Sequence, residues 1–356
     1  MRKIKVNCLS RREFILVGFL NSLEIWSGLK WRCYLYAQIF LMFTKYWREY
    51  PWWMQVFLYL MLVFVLLNFG QAIQMFTFPK IFHVSVGELI SVTPKSPEAL
   101  VHASLWSQVL TQISWFLVPG LLFAYFLHPR PKKVLNLTTP HRPFHLILVA
   151  FIIIGALPLL LTLDALTRQL FTFPKIFQEL QEVNDNLFKT FLMIDSVPEF
   201  VAVVLAMALV PALGEEITFR GLIMRFVAQK KNSIFLMVTM PALIFAVIHF
   251  NPYGLLAIFS AAVMLALIYF WTGSLWCSIF AHFLFNAIQI GLIYFSNTSS
   301  ALNTIVEGDR LPSQYIVIGA VIFGLSFFAL YKTRNPLEKN WFKDFTEEEL
   351  AQKKNN

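Results

Sequence analysis

Ala212-Leu213-Gly214-Glu215-Glu216-Ile217-Thr218-Phe219-Arg220 lies inside an apolar run that extends from about 197 to 228. Two adjacent carboxylates and a guanidinium in such a run decide how the rest of the chain is read. Ionisable groups within hydrocarbon are costly, so they face a cavity or one another. Arg220 follows Glu216 by four residues and shares its helical face, whereas Glu215 points about 100° away. Glu216 and Arg220 therefore read as an ion pair, which leaves Glu215 unpaired. Taken alone, the trio is equally compatible with an ion-paired helix end near a membrane surface.

Outward from this segment, the chain of 356 residues is 58% hydrophobic and 14% charged, with 37 phenylalanines. That composition belongs in a bilayer. A spanning helix needs about 20 apolar residues. Such runs occur near 52–74, 104–127, 144–166, 197–228, 233–250, 254–271, 275–296 and 313–331, which predicts an all-α, polytopic bundle of about eight transmembrane helices. The formal net charge of +9 comes from Lys and Arg gathered between the apolar runs, where they set orientation. No basic-aromatic surface for nucleic acid stands out.

The basic residues fall in alternate connections. Arg130, Lys132, Lys133 and Arg142 occupy one, Arg225, Lys230 and Lys231 the next such turn, and Lys332, Arg334, Lys339 and Lys343 the tail. The connection 167–196 is acidic, with Glu179, Glu182, Asp185 and Asp195. Both termini are accordingly expected in the cytoplasm of a bacterial plasma membrane, with the acidic loop outside and an amphipathic segment near Glu179–Phe191 along the outer interface. Thr77-Phe78-Pro79-Lys80-Ile81-Phe82 recurs as Thr172-Phe173-Pro174-Lys175-Ile176-Phe177. Unmatched flanks favour two similar loop entries over a duplicated half.

The chain divides into an N-terminal extension 1–41, three spanning helices within 42–196, a four-helix core at 197–300, a last helix at 301–331 and a basic tail at 332–356. Residues 1–41 neither span nor alternate cleanly, and Met42 precedes the basic lead-in Lys45 to Arg48, so Met42 reads as an alternative start. Ser10-Arg11-Arg12-Glu13-Phe14 is similar to a twin-arginine export signal, a likeness read as coincidence because a multi-spanning protein needs no such route. Cys8, Cys33 and Cys277 show neither disulfide nor thiolate-zinc spacing.

Two further segments keep company with the carboxylates. Phe245-Ala246-Val247-Ile248-His249 closes the next helix, and His282-Phe283-Leu284-Phe285-Asn286 places a His and an Asn on one face. One intramembrane His is often a packing residue; two, with an Asn and an unpaired Glu on three helices, indicate convergence. At 1.5 Å per residue, Glu215 and His249 lie roughly 20–24 Å from the basic turn Gln229–Asn232, and His282 lies about 10 Å into its helix. The three are level if that turn projects by roughly 10 Å, which puts the expected site inside the bundle near its cytoplasmic side.

These elements resemble the CPBP family, the CAAX protease and bacteriocin-processing proteins that include the type II CAAX prenyl endopeptidases. The family pattern EExxxR, FxxxH, HxxxN is intact and in order as Glu215-Glu216 to Arg220, Phe245 to His249, and His282 to Asn286. The resemblance covers about 100 residues, roughly 197–300. It implies an intramembrane endopeptidase acting on a membrane-associated peptide or small protein. Glu215 with His249 would activate water, His282 with Asn286 would stabilise the oxyanion, and Glu216 with Arg220 would support the set.

No cofactor is expected. Zinc held by Glu215, His249 and His282 is the chemical alternative, although the His-Glu-x-x-His spacing is absent. A noncatalytic scaffold or bacteriocin-immunity protein is the alternative of a different class. A proton-coupled transporter fits less well, because no inverted repeat accompanies the polar cluster. Phenylalanines such as Phe219, Phe245, Phe250, Phe283 and Phe285 could line an apolar entry groove, or simply pack.

Overall fold

The computed structural model describes residues 47–128, 130–193, 196–231, 233–296, 311–337 and 341. The extension 1–41, Met42, Asp195, Lys339 and Lys343 lie outside the described residues. Every regular element among the described residues is helical. In chain order these are α1 (Trp52–Ile81), α2 (Glu98–Leu127), α3 (His145–Leu170), α4 (Lys175–Phe191), α5 (Val197–Lys230), α6 (Ile234–Ile248), α7 (Leu255–Thr272), α8 (Leu275–Ser296) and α9 (Ser313–Lys332). Seven of them are long and apolar enough to cross a membrane, and α6 is a shorter apolar helix. The protein is thus a multi-pass membrane bundle close to the eight helices read from hydropathy.

Local chemistry sets the helix ends. Ser196 caps α5 by accepting the Glu199 N–H, with Pro198 in the first turn. Gly273 ends α7 at φ 65°, a left-handed position that glycine adopts without strain. The repeated hexapeptide behaves differently at its two sites. Thr77–Ile81 continues α1, with Pro79 inside the helix, whereas Pro174 is the N-cap of α4. The expectation of two loop entries fails for the first copy, because α1 runs on past 74 to residue 81.

Lipid replaces water around this fold. Phe57, Leu60, Phe64, Phe69 and Phe76 on α1 are exposed, as are Val317, Val321, Leu325 and Phe328 on α9. α3 and α9 approach through Gly155 and Gly319. A Cβ on Gly155 would come within 2.4 Å of the Phe323 backbone N, and one on Gly319 within 2.4 Å of Pro158. Small residues permit this contact where the hydrophobic effect between helices is absent. α4 exposes Ile176, Leu180 and Val183 on one side, as an interfacial helix does.

The two ends of the bundle differ in charge. Arg48, Arg130, Lys132, Lys133, Arg142, Arg225, Lys230, Lys231, Lys332 and Arg334 lie at the end bearing the α5–α6 turn. The opposite end carries Lys80, Lys95, Arg168, Lys175 and Lys189 against Glu88, Glu98, Asp164, Glu179, Glu182, Asp185 and Glu199.

Candidate active site

Three π-helical turns shape the helices that carry the site: Ile113–Leu117 in α2, and Leu205–Leu209 and Ile217–Ile223 in α5. The first two precede Pro119 and Pro211. Proline has no N–H and crowds the carbonyl four residues back, so a widened turn relieves the helix. The Met207 carbonyl, four before Pro211, instead accepts from Asn286 Nδ2 at 3.4 Å. The turns of α2 and α5 are pinned together by Thr218, whose hydroxyl donates to the Phe116 carbonyl at 3.2 Å and lies 2.8 Å from the Tyr59 hydroxyl. Gly120 and Gly214 make this approach possible: a Cβ on them would lie 2.7 Å from Ile217 and 3.0 Å from Phe116, respectively.

Within that frame Glu216 is fully buried. Its Oε1 accepts from Arg220 Nη1 at 2.6 Å and from His282 Nδ1 at 2.8 Å, and its Oε2 accepts from the Ser278 hydroxyl at 2.5 Å. Arg220, equally buried, also donates to the Ala262 carbonyl at 2.9 Å and lies 5.1 Å from the Phe245 ring centroid. One carboxylate therefore ties α5 to α8, and its guanidinium ties α5 to α7 and α6. A carboxylate paired with arginine can only accept, so His282 carries its proton on Nδ1 and turns Nε2 the other way.

His282 Nε2 lies 3.8 Å from Glu215 Oε2. Glu215 Oε1 accepts from Gln112 Nε2 at 3.0 Å. Since a carboxylate cannot donate, this contact also sets the orientation of the Gln112 amide, leaving its Oε1 buried without a hydrogen-bond partner. His249, just past the end of α6, donates from Nδ1 to the Phe245 carbonyl at 2.6 Å, so its Nε2 is the ring's free acceptor.

Glu215, His249, His282 and Asn286 all line one cavity of about 430 Å³, together with Gln108 and Gln112. Glu216 and Arg220 pack behind it, which is the 100° separation of adjacent helical residues made concrete. His249 and Glu215 share the cavity with no hydrogen bond between them. Sequence reasoning missed Gln112 and Ser278. The signal for Gln112 was available, since Gln108 and Gln112 are polar residues one turn apart within an apolar span. Ser278 carried none, because a serine in a membrane helix usually bonds its own backbone. Among the described residues, no three His, Cys, Asp or Glu side chains converge as metal ligands.

The residues do lie near the depth read from helix lengths: His282 is seven residues into α8, about 10 Å. The cavity, however, extends from them towards Phe188, Asn251 and Gln289 at the end opposite the basic turn. Towards the basic turn, Leu127, Leu135, Leu222, Met224, Tyr269 and Leu275 form a fully buried plug. Helix arithmetic gives depth but not which way a cavity opens, because packing closes one end.

Fold and site together define a polytopic membrane protein with a buried carboxylate–imidazole centre. The resemblance drawn from the three motifs holds: residues 197–288 match the family described as type II CAAX prenyl endopeptidase Rce1-like. No curated protein and no solved structure matches the chain.

Replacing Arg220 with Met is expected to destabilise the protein by about 3–5 kcal/mol, because it strands a buried carboxylate. Adding Glu216→Gln to it should recover part of the loss. Denaturation in detergent measures both; wild-type stability of the single variant would show that the pair does not hold the bundle together.

Proposed function

We propose that the protein is an intramembrane endopeptidase that hydrolyses a peptide bond in a membrane-associated peptide or small protein, with water activated by Glu215. The observation that carries this reading is the approach of Glu215 to His282 Nε2, 3.8 Å apart on the wall of the cavity, with Glu216 holding the far side of the same imidazole. A carboxylate that accepts the water proton and an imidazole positioned to donate are the two functions that attack on a carbonyl requires.

Glu215 takes the proton from water as that water adds to the carbonyl carbon. The carbonyl oxygen gains the electron pair and is met by donors on α8, the His282 ring when doubly protonated and Asn286 Nδ2 one turn on. The proton held by Glu215 then passes to the amide nitrogen as the C–N bond breaks. His249, with Nε2 open as an acceptor, assists the water from the α6 side. Glu216 and Arg220 keep the His282 ring in one orientation, and Gln112 keeps the Glu215 carboxylate in the cavity. The protein belongs in this reading to a bacterial plasma membrane, with both termini cytoplasmic.

Glu215→Ala is expected to abolish hydrolysis, at a cost of about 10²–10⁴ in rate for a positioned general base, with normal expression. Comparing membrane peptidomes of cells carrying wild-type and Glu215→Ala protein tests this, and identical peptidomes would favour the scaffold alternative. Gln112→Leu should lower kcat by about tenfold at nearly unchanged KM, because it frees Glu215 to leave its productive geometry; an effect confined to KM would make Gln112 a substrate contact instead. The reaction is expected to survive exhaustive chelation. Loss of activity on chelation, restored by stoichiometric zinc, would replace the glutamate mechanism with a zinc one using Glu215, His249 and His282.

A further inference from the structure

A membrane-buried hydrolase must admit water and release a polar product, and adjoining cavities among the described residues mark a route for both. The site cavity shares Phe188, His249, Asn251, Phe285 and Gln289 with a second cavity of about 400 Å³. That second space is walled by α3 and α4, where Asp164 pairs with Arg168 at 2.8 Å and Gln181 donates to Asp185 at 2.8 Å. Gln181 is buried, yet its Oε1 has no hydrogen-bond partner. Arg168, Gln181 and Asp185 line a third hollow that includes the exposed Glu182 and Lys189 on α4. Paired charges and side-chain amides of this kind hold water, whereas the opposite end of the site is closed by fully buried, close-packed side chains.

The route leads to the acid-rich end of the bundle, while the Lys and Arg residues cluster at the sealed end. Positive charge is retained on the cytoplasmic side of a membrane. We propose that the catalytic cavity is served from the extracytoplasmic face, through this vestibule beneath α4. On the peptidase reading, on which this rests, the substrate is a membrane-inserted polypeptide whose cleavage point lies in the bundle and whose polar flank lies outside the cell. Phe188, on the wall of both cavities, stands where site and vestibule meet.

The test needs no substrate. In a full-length chain whose cysteines are replaced by serine, Asn184→Cys, Ala257→Cys and Lys231→Cys are introduced singly and exposed in intact bacterial cells to a small membrane-impermeant methanethiosulfonate reagent. Asn184→Cys at the mouth and Ala257→Cys within the vestibule should be modified at least tenfold faster than Lys231→Cys at the basic turn, which should react only after permeabilisation. The reverse order would overturn the orientation, and modification of position 184 without 257 would overturn the vestibule as the route. The same labelling in a chain that also carries Glu215→Ala should be unchanged, so loss of hydrolysis and failure of this proposal are read separately. Size-exclusion profiles matching the parent identify the folded variants, and Asn251→Cys, also on the wall of both cavities, replaces Ala257→Cys if that variant misfolds.

Discussion

A carboxylate with no access to solvent needs partners on every side, and Glu216 obtains them from a guanidinium, a hydroxyl and an imidazole. Desolvating this group is expensive enough that the helices supplying its partners cannot drift. Arg220 comes from the same helix, but Ser278 and His282 come from α8, and Arg220 passes the constraint to the Ala262 carbonyl on α7. The neighbouring Glu215 is thereby aimed into the cavity, where His282 presents the nitrogen that Glu216 leaves unused. One residue of helical rotation separates a carboxylate locked between helices from one that lines the cavity.

Helix irregularity is the second means by which the fold builds the site. Regular α-helices would pair every backbone carbonyl internally and leave none for side chains. The widened turns before Pro119 and Pro211, together with close contact at Gly120 and Gly214, bring α2 against α5 and carry Gln112 to Glu215. In hydrocarbon such departures survive only where neighbouring helices satisfy the freed groups. Thr218 and Asn286 do so here, which couples the backbone geometry to the polar cluster.

The side chains packed around Tyr269 and Leu275 close one end of the site cavity, and polar residues of α3 and α4 line the adjoining cavity at the other. On the proposed peptidase reading that asymmetry matters, since water must arrive without the membrane being breached. The plug is made of side chains that pack to full burial, whereas the vestibule is lined by groups that retain hydrogen-bonding capacity.

The helical, membrane-spanning architecture was legible in the amino-acid sequence because it follows from hydropathy and length, which are local: each apolar run must satisfy its own backbone bonds within lipid. The Glu216–Arg220 pair and the divergence of Glu215 were legible for the same reason, being properties of a single helix. Three motifs in order were enough to indicate the family that residues 197–288 match. Only the tertiary structure decided which way the cavity extends, that Gln112 and Ser278 join the cluster, and that His249 shares the cavity without a hydrogen bond to Glu215. It also decided that one hexapeptide continues a helix at Pro79 and starts another at Pro174. Those outcomes depend on which side chains from distant segments fill the space between helices, and no periodicity along the chain records that.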